Sequence, residues 1–343
     1  MTACALLLDY VQWLLALLEA SPPSPKANLL LLDVGTGASA IYALLLARSS
    51  PKAHIFATDV DAFSLKIARR NIEQNALQDR ITLIDTSLSV DILPHLDVEI
   101  DASMCNPPYY ASRAEIEELA SIKADLPTGI CTGADSDMIT TGGELGFVTR
   151  MIDESAARPN AIRWCTTQLG RLSSLEPLLK RLAHHHIDNY ALCESTQSRT
   201  KRWLLAWSLQ GDRLPDTIAR SANLASKHLL PLPNTVGRVC RAGLKLPTVR
   251  DALLEHLLAL SLQVESSDNA ILVAASQPSW TRAARRAAER NEAQPSDVVI
   301  MRVLLELAQR GDDVVVSSTW QYGLDRQLFQ SFCSHVWRQI DVS

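Results

Sequence analysis

Apolar and polar residues along this chain fall into two alternating patterns. From Leu6 to Leu18 apolar positions recur at helical spacing, interrupted by Asp9 and Gln12, and predict an amphipathic helix over 5–20. It lacks a basic start, so it reads as a helix and not as a signal peptide. Ser21-Pro22-Pro23-Ser24-Pro25 stops it. Short apolar runs then predict strands at 29–33, 54–58, 81–84 and 100–105, with helices at 38–48 and 62–75 between them. A polar, acidic, glycine-bearing stretch follows from 106 to 141, with a short helical piece at 114–123. The alternation resumes with a helix at 143–157, a strand at 162–166, a helix at 174–184 and strands at 188–194 and 203–209. The last two are close enough to pair antiparallel at a sheet edge. Seven strands interleaved with helices predict an α/β fold, a mostly parallel sheet covered on both faces.

Beyond residue 211 the pattern changes. Pro215, Pro231, Pro233 and Pro247 punctuate a stretch of little periodicity, which predicts a linker over 212–247. Residues 248–343 read as helix (249–261), strand (270–275), helix (280–291), an apolar segment (298–308), strand (314–318) and helix (324–340), a small C-terminal α+β domain. The expected layout is an N-terminal helix and linker over 1–28, a main domain over 29–211, the linker, and an accessory domain over 248–343.

Composition narrows the function classes. The 343 residues are 47% hydrophobic, enough for more than one core, and this excludes a globally disordered chain. No apolar run reaches about 18 residues, so no transmembrane helix is expected. A net charge of −5 excludes a uniformly basic nucleic-acid binder. The charge is uneven, however: residues 161–213 carry +4, against −5 in each of 1–112 and 113–160. Seven cysteines without a Cys-x-x-Cys pair argue against a disulfide framework or a zinc ribbon and for a reducing compartment. His184-His185-His186 lacks a second ligand pair and reads as a solvated helix end, so no metal is expected.

Three clusters at strand ends carry candidate chemistry. Asp33-Val34-Gly35-Thr36-Gly37-Ala38-Ser39 joins the first strand to its helix, where glycines let the backbone approach a ligand near free helical N–H groups. The third glycine of a dinucleotide fingerprint is missing, since position 40 is Ala, which favours a nucleoside over a pyrophosphate. Asp59 ends the second strand, where a carboxylate can accept two ribose hydroxyls, and Asp61 is placed to cap the next helix in its stead. Asn106-Pro107-Pro108-Tyr109 follows the fourth strand. The prolines fix the backbone, so the Asn106 amide oxygen and the Pro107 carbonyl can face one cavity as acceptors, with the Tyr109 ring for stacking. Two acceptors and a ring suit a planar amino group.

Together these clusters resemble the class I, S-adenosylmethionine-dependent amino-methyltransferases. With Gly142–Phe147, Arg163-Trp164 and Gln197–Trp207, the chain over about 5–210 is similar to the methyltransferase-like protein 16 family. The resemblance implies a Rossmann-like class I methyltransferase with a seven-stranded sheet. It implies N6-methylation of adenine in structured RNA, in U6 small nuclear RNA or, for bacterial relatives, in 23S ribosomal RNA. S-adenosyl-L-methionine would be held by Asp33, Gly35, Thr36, Gly37, Ser39, Asp59, Val90 and Asn106, with the 86–90 loop beside its adenine. The target adenine would meet Asn106, Pro107, Pro108 and Tyr109, with Tyr110 in the same cavity. Arg163, Arg171, Arg199, Lys201 and Arg202 would meet RNA phosphates. Asp59 stands where human-type sequences have Glu, and Leu7 where relatives place a cofactor-binding Arg; the N-terminal RNA-binding segment of relatives is expected to be absent. Ser317-Ser318-Thr319-Trp320 and the helix after it resemble an RNA-binding region of vertebrate relatives, and Arg282, Arg285, Arg286 and Arg290 would form a basic helix face. Nuclear residence is implied by resemblance, with the cytoplasm as alternative. Two rival functions are a protein glutamine-N5 methyltransferase, which also uses such a motif on a planar amide, and an RNA-binding protein of this fold with weakened catalysis. The sequence leaves the oligomeric state open.

Overall fold

The first strand, β1 (Leu29–Val34), is the apolar run that follows the proline stop, and it sits near the middle of a seven-stranded sheet. A computed structural model describes residues 2–22, 26, 28–114, 139–198, 200–240, 244–282, 284, 286 and 298–342. On one side β1 pairs in parallel with β2 (Ala53–Asp59), which pairs with β3 (Ile81–Asp85). On the other it pairs in parallel with β4 (Ile100–Cys105), followed by β5 (Ile162–Leu169). The sheet closes with an antiparallel hairpin, β6 (Tyr190–Gln197) and β7 (Thr200–Trp207), in which β7 lies between β5 and β6. The order is β3-β2-β1-β4-β5-β7-β6. The hairpin turn begins at Ser198 with a left-handed φ of 55°.

Helices follow the strands as the pattern predicts: α1 (Thr2–Ala20), α2 (Ile41–Ser49), α3 (Ala62–Gln74), α4 (Gly143–Ala157) and α5 (Leu175–His184). Their apolar faces are buried, because each helix lays a stripe against the sheet. Val148, Met151 and Ile152 of α4 and Leu175, Leu178 and Leu182 of α5 share one core with Leu32, Val34, Ile100 and Cys105. From α1, Tyr10, Val11, Leu14 and Leu17 are fully buried.

The chain divides into two compact units, one of Met1–Leu209 with Thr217–Pro231, the other of Gln210–Asp216 with Leu232–Ser343. The first unit therefore includes α1, which the sequence reading had set apart with a linker. The described residues of the stretch expected as a linker over 212–247 include regular structure. They hold α6 (Asp216–Ala219), a 3₁₀ turn at Lys227–Leu229 and β8 (Thr235–Val239). Leu224 and Leu229 are buried in the first unit's core, and the Tyr190 hydroxyl donates to the Leu229 carbonyl at 3.1 Å. The Asp216 carboxylate accepts the Asn234 and Thr235 amides of the second unit at 2.8 and 3.0 Å. Pro247, the last of the expected linker, starts a helix at N1/N2 and does not extend the linker.

The second unit is an antiparallel sheet of order β8-β12-β11-β10-β9, with β9 (Gln263–Ser266), β10 (Ala270–Ala275), β11 (Met301–Arg310) and β12 (Asp313–Gly323). Its core takes Leu253 and Leu257 from α7 (Leu246–Ala259) and Phe329, Phe332 and Val336 from α8 (Arg326–Val342). The apolar segment expected at 298–308 falls in β11 from Met301 on, where buried positions alternate with half-buried and then exposed ones. Strands β8 and β9 were not foreseen. The helical pieces expected at 114–123 and 280–291 lie largely outside the described residues.

Candidate active site

The chain leaves β1 to one side of the sheet and later returns on the other as β4, so the carboxyl ends of these neighbours form a topological switch point. Val34 pairs with Cys105 there. A cavity of about 630 Å³ opens above them, lined by Leu7, Gly35, Thr36, Gly37, Ser39, Tyr42, Asp59, Thr86, Val90, Asn106 and Pro108, among others. That volume suits a nucleoside-sized ligand.

The glycine loop is shaped by its backbone. Gly35 and Gly37 have φ of 71° and 62°, which side-chain-bearing residues rarely adopt, and a Cβ on Gly35 would meet only open space. The Thr36 amide donates to the Thr58 carbonyl at 2.8 Å, which ties the loop to β2. The Gly37 amide donates to Asp59 Oδ2 at 2.8 Å, and the Asp61 amide to Asp59 Oδ1 at 2.9 Å. Each Asp59 oxygen thus keeps one acceptor position for a ligand hydroxyl. Asp61 caps α3, accepting from the Ser64 amide at 2.8 Å and from its hydroxyl at 2.7 Å, as expected. The loop after β3 is fixed likewise: the Thr86 amide and hydroxyl both donate to the Asp59 carbonyl, at 2.9 and 3.1 Å.

Asp33 is placed differently from the expectation. It is fully buried beneath the loop and off the cavity wall, and its Oδ2 accepts the Thr36 hydroxyl at 2.7 Å. Burial pushes its carboxyl up to about 6, with the Thr36 hydrogen bond pulling the other way. Its role is to prop the loop, not to touch a ligand.

The Asn106 motif rests on a buried hydroxyl relay. The Cys105 amide donates to the Tyr10 hydroxyl at 3.1 Å. That hydroxyl lies 2.7 Å from Thr166 Oγ1, which donates to the Ser103 carbonyl at 2.7 Å. Asn106 Oδ1 accepts the Tyr109 hydroxyl and the Gln168 Nε2, the latter at 3.1 Å. The acceptor expected to face a target amine is therefore engaged by two donors of the chain itself. Burial raises the Tyr109 pKa, with the Arg202 charge opposing, so the hydroxyl keeps its proton at neutral pH. The Arg202 guanidinium lies 5.5 Å from the Tyr109 ring centroid. Pro108 lines the cavity, whereas Pro107 and Tyr109 are not among its lining residues and Tyr110 is bridged to Ile139.

Glu144, the first turn of α4, locks the loop after β5. Its Oε2 accepts the Gly170 amide at 2.7 Å; its Oε1 accepts the Arg171 amide at 3.1 Å and the Ser174 hydroxyl at 2.6 Å. Gly170 packs against the Tyr109 ring, for a Cβ there would come within 2.9 Å of it. Sequence reasoning missed Tyr10, Glu144 and Gln168 as site residues. Glu144 inside a glycine-rich motif was a weak signal; Gln168, in a strand that also carries Arg163, Thr166 and Thr167, gave none, and Tyr10 read as an ordinary helix position.

The five basic candidates separate. Arg163 is only 8% exposed and donates to the Pro22 carbonyl at 2.8 Å, so it braces the chain entering β1 and is not an RNA-facing cation. Arg171 is half-buried in the loop held by Glu144, and Lys201 is exposed and lies 2.6 Å from Glu194. Arg202 packs over Tyr109, and Arg199 lies outside the described residues. Among the described residues no group of three or more His, Cys, Asp or Glu side chains could hold a metal ion, and no helix is long and apolar enough to cross a membrane. His185 instead lies 2.8 Å from Asp153, which also takes Arg181. In the second unit Trp320 is buried, stacked on Phe329 and covered by Arg213, while Arg285 and Arg290 lie outside the described residues.

A family described as RNA methyltransferase matches residues 2–211. The U6 small nuclear RNA (adenine-(43)-N(6))-methyltransferase of Schizosaccharomyces pombe is 30% identical over 336 residues, covering 96% of this chain and 84% of that protein. The RNA N(6)-adenosine-methyltransferase METTL16 of Homo sapiens is 34% identical over 211 residues, covering 60% of this chain and 37% of that one. The chain thus spans most of the yeast relative but well under two thirds of the human one. Among solved structures, the human Mettl16 catalytic domain in complex with a MAT2A 3′UTR hairpin matches with a TM-score of 0.52 and 34% identity, over 60% of this chain and 69% of that one.

Proposed function

The chain belongs to this RNA methyltransferase family, and from that premise we propose that it transfers the methyl group of S-adenosyl-L-methionine to N6 of an adenine in structured RNA. The likeness to the fission-yeast protein favours U6 small nuclear RNA as substrate and the nucleus as place of action. The observation that carries the reading is Asn106 at the end of β4, on the wall of a cavity whose other walls are Gly35, Ser39 and Asp59.

The residues fit the cofactor's chemistry. Asp59 has acceptor positions to spare for ribose hydroxyls, Gly35 leaves open space beside the loop, and Val90 and Thr86 border the far side. The bound cofactor supplies an electrophilic methyl on a sulfonium centre. Thr36, Gly37 and Ser39 shape the floor, and Leu7 adds an apolar wall. Asn106 Oδ1, on the cavity wall, accepts an N–H bond of the target amine, with Pro107 and Tyr109 supporting the motif from outside the lining. An acceptor there draws the nitrogen out of conjugation and aims its lone pair; held in line, the reactants gain much of the rate from proximity. Water takes the proton. Arg171, Lys201 and Arg202, together with Arg199 of the same sequence segment, meet RNA phosphates, and the second unit serves as an accessory RNA-binding domain.

The test is transfer of labelled methyl from S-adenosylmethionine in the presence of total RNA or total protein. Label recovered as N6-methyladenosine is the expected result. Label on protein glutamine, or on no acceptor, would sink the reading.

A further inference from the structure

An asparagine amide presents an acceptor on one side and a donor on the other, and only the acceptor helps a target amine. Something must fix which side faces the chemistry. Strands β4 and β5 run parallel, with Ser103 paired to Cys165. Following both strands three residues onward brings Asn106 level with Gln168. Gln168 is only 4% exposed, with its Nε2 3.1 Å from Asn106 Oδ1 and 3.3 Å from the Tyr109 hydroxyl. That hydroxyl is itself the second donor to Asn106 Oδ1. An amide oxygen has two lone pairs, and both are taken.

The Tyr42 side chain on the cavity wall also interacts with the Gln168 amide, which opposes the upward push of burial on the Tyr42 hydroxyl. A leucine at this position would offer no donor to Asn106 Oδ1 or to the Tyr109 hydroxyl.

We propose that Gln168 is a positioning residue for methyl transfer, which holds the Asn106 amide with its oxygen as the acceptor. The Tyr109 hydroxyl is then a place-holder on the second lone pair. A target amine displaces it, one donor for another, while the Gln168 bond persists and keeps the amide from turning. The proposal rests on the reading of Asn106 as the acceptor for the target amine.

Steady-state methyl transfer to a structured RNA tests it with the full chain. A wild-type chain that methylates no RNA adenine overturns the reading of the site, and the proposal with it. With wild type active, the variants speak to Gln168 alone. Gln168→Leu is expected to lower kcat by about tenfold or more, with KM for RNA and the calorimetric Kd for S-adenosylmethionine within about threefold. Gln168→Glu carries its own control. Its introduced carboxyl can donate to Asn106 Oδ1 only when protonated, and burial raises its pKa, so its kcat relative to wild type should climb as pH falls from about 8.5 to about 6. A purely structural role would move neither the split between kcat and KM nor the pH profile. Wild-type kcat in Gln168→Leu, or a variant-to-wild-type ratio flat with pH in Gln168→Glu, would overturn the proposal. Should Gln168→Leu fail to fold, the pH comparison decides, being made within one protein.

Discussion

Asp33 and Asp59 stand near the ends of neighbouring strands and look interchangeable in sequence, yet their surroundings give them separate work. Asp59 faces the cavity with an acceptor position open on each oxygen, whereas Asp33 is sealed beneath the loop with Oδ1 lacking a partner. Asp59→Ala should therefore weaken S-adenosylmethionine binding by about tenfold or more, as befits loss of a charge-assisted contact. Asp33→Asn should leave that affinity within a few-fold, both read by calorimetry. Its effect belongs to stability. The Asp33 carboxyl titrates near 6 in the fold against 3.8 unperturbed, so protonation favours the folded state. That contribution is complete below 3.8 and is lost as pH rises through about 6. Asparagine does not titrate, so the melting temperature of Asp33→Asn minus that of wild type should grow more positive between about pH 5 and about pH 8. Equal losses of cofactor affinity in the two variants would erase the distinction between wall and prop.

At the scale of elements, α4 governs the loop beyond β5 through one side chain. Glu144 accepts three hydrogen bonds from that loop while 2% exposed. Glu144→Ala strands three donors and should destabilise the first unit by about 3 kcal/mol in urea unfolding, with a fall in kcat as the Gly170 contact on Tyr109 loosens. Unchanged stability would mean that the loop is held elsewhere. Glu144 and Gln168 were illegible as site residues because their partners come from other elements, whereas Gly35, Asp59 and Asn106 betray themselves by standing at strand ends. Arg163 misled for the related reason that charge in a sequence does not reveal depth: all eight residues of β5 are buried. The strands of the main sheet were legible because parallel strands covered on both faces read as apolar runs. Strands β8 and β9 were not, because they edge their sheet with mostly exposed or half-buried residues and show no alternation.

For the whole molecule, the boundary between units does not fall at one peptide bond. The chain passes from the first unit to the second at 210, back at 217 and out again at 232. A chain ended after Pro231 keeps Leu224 and Leu229 in its core; one ended after Leu209 does not. The shorter form should melt at a lower temperature, since losing two buried leucines costs about 4 kcal/mol or more, while the longer form should still bind S-adenosylmethionine. Equal melting would show that 217–231 is dispensable to the first unit. The same crossing sets an order of events on the ribosome. The first unit can close once residue 231 has emerged. The strap at 210–216 cannot, for Arg213 Nε donates to the Gly323 carbonyl at 2.9 Å, 110 residues further on. At roughly 5–20 residues per second, synthesis of that span takes on the order of 5–20 s. For that interval a nascent strap bearing Arg213 and Leu214 hangs between a finished catalytic half and an unmade partner, exposed to whatever the cell uses to shield unpaired chain.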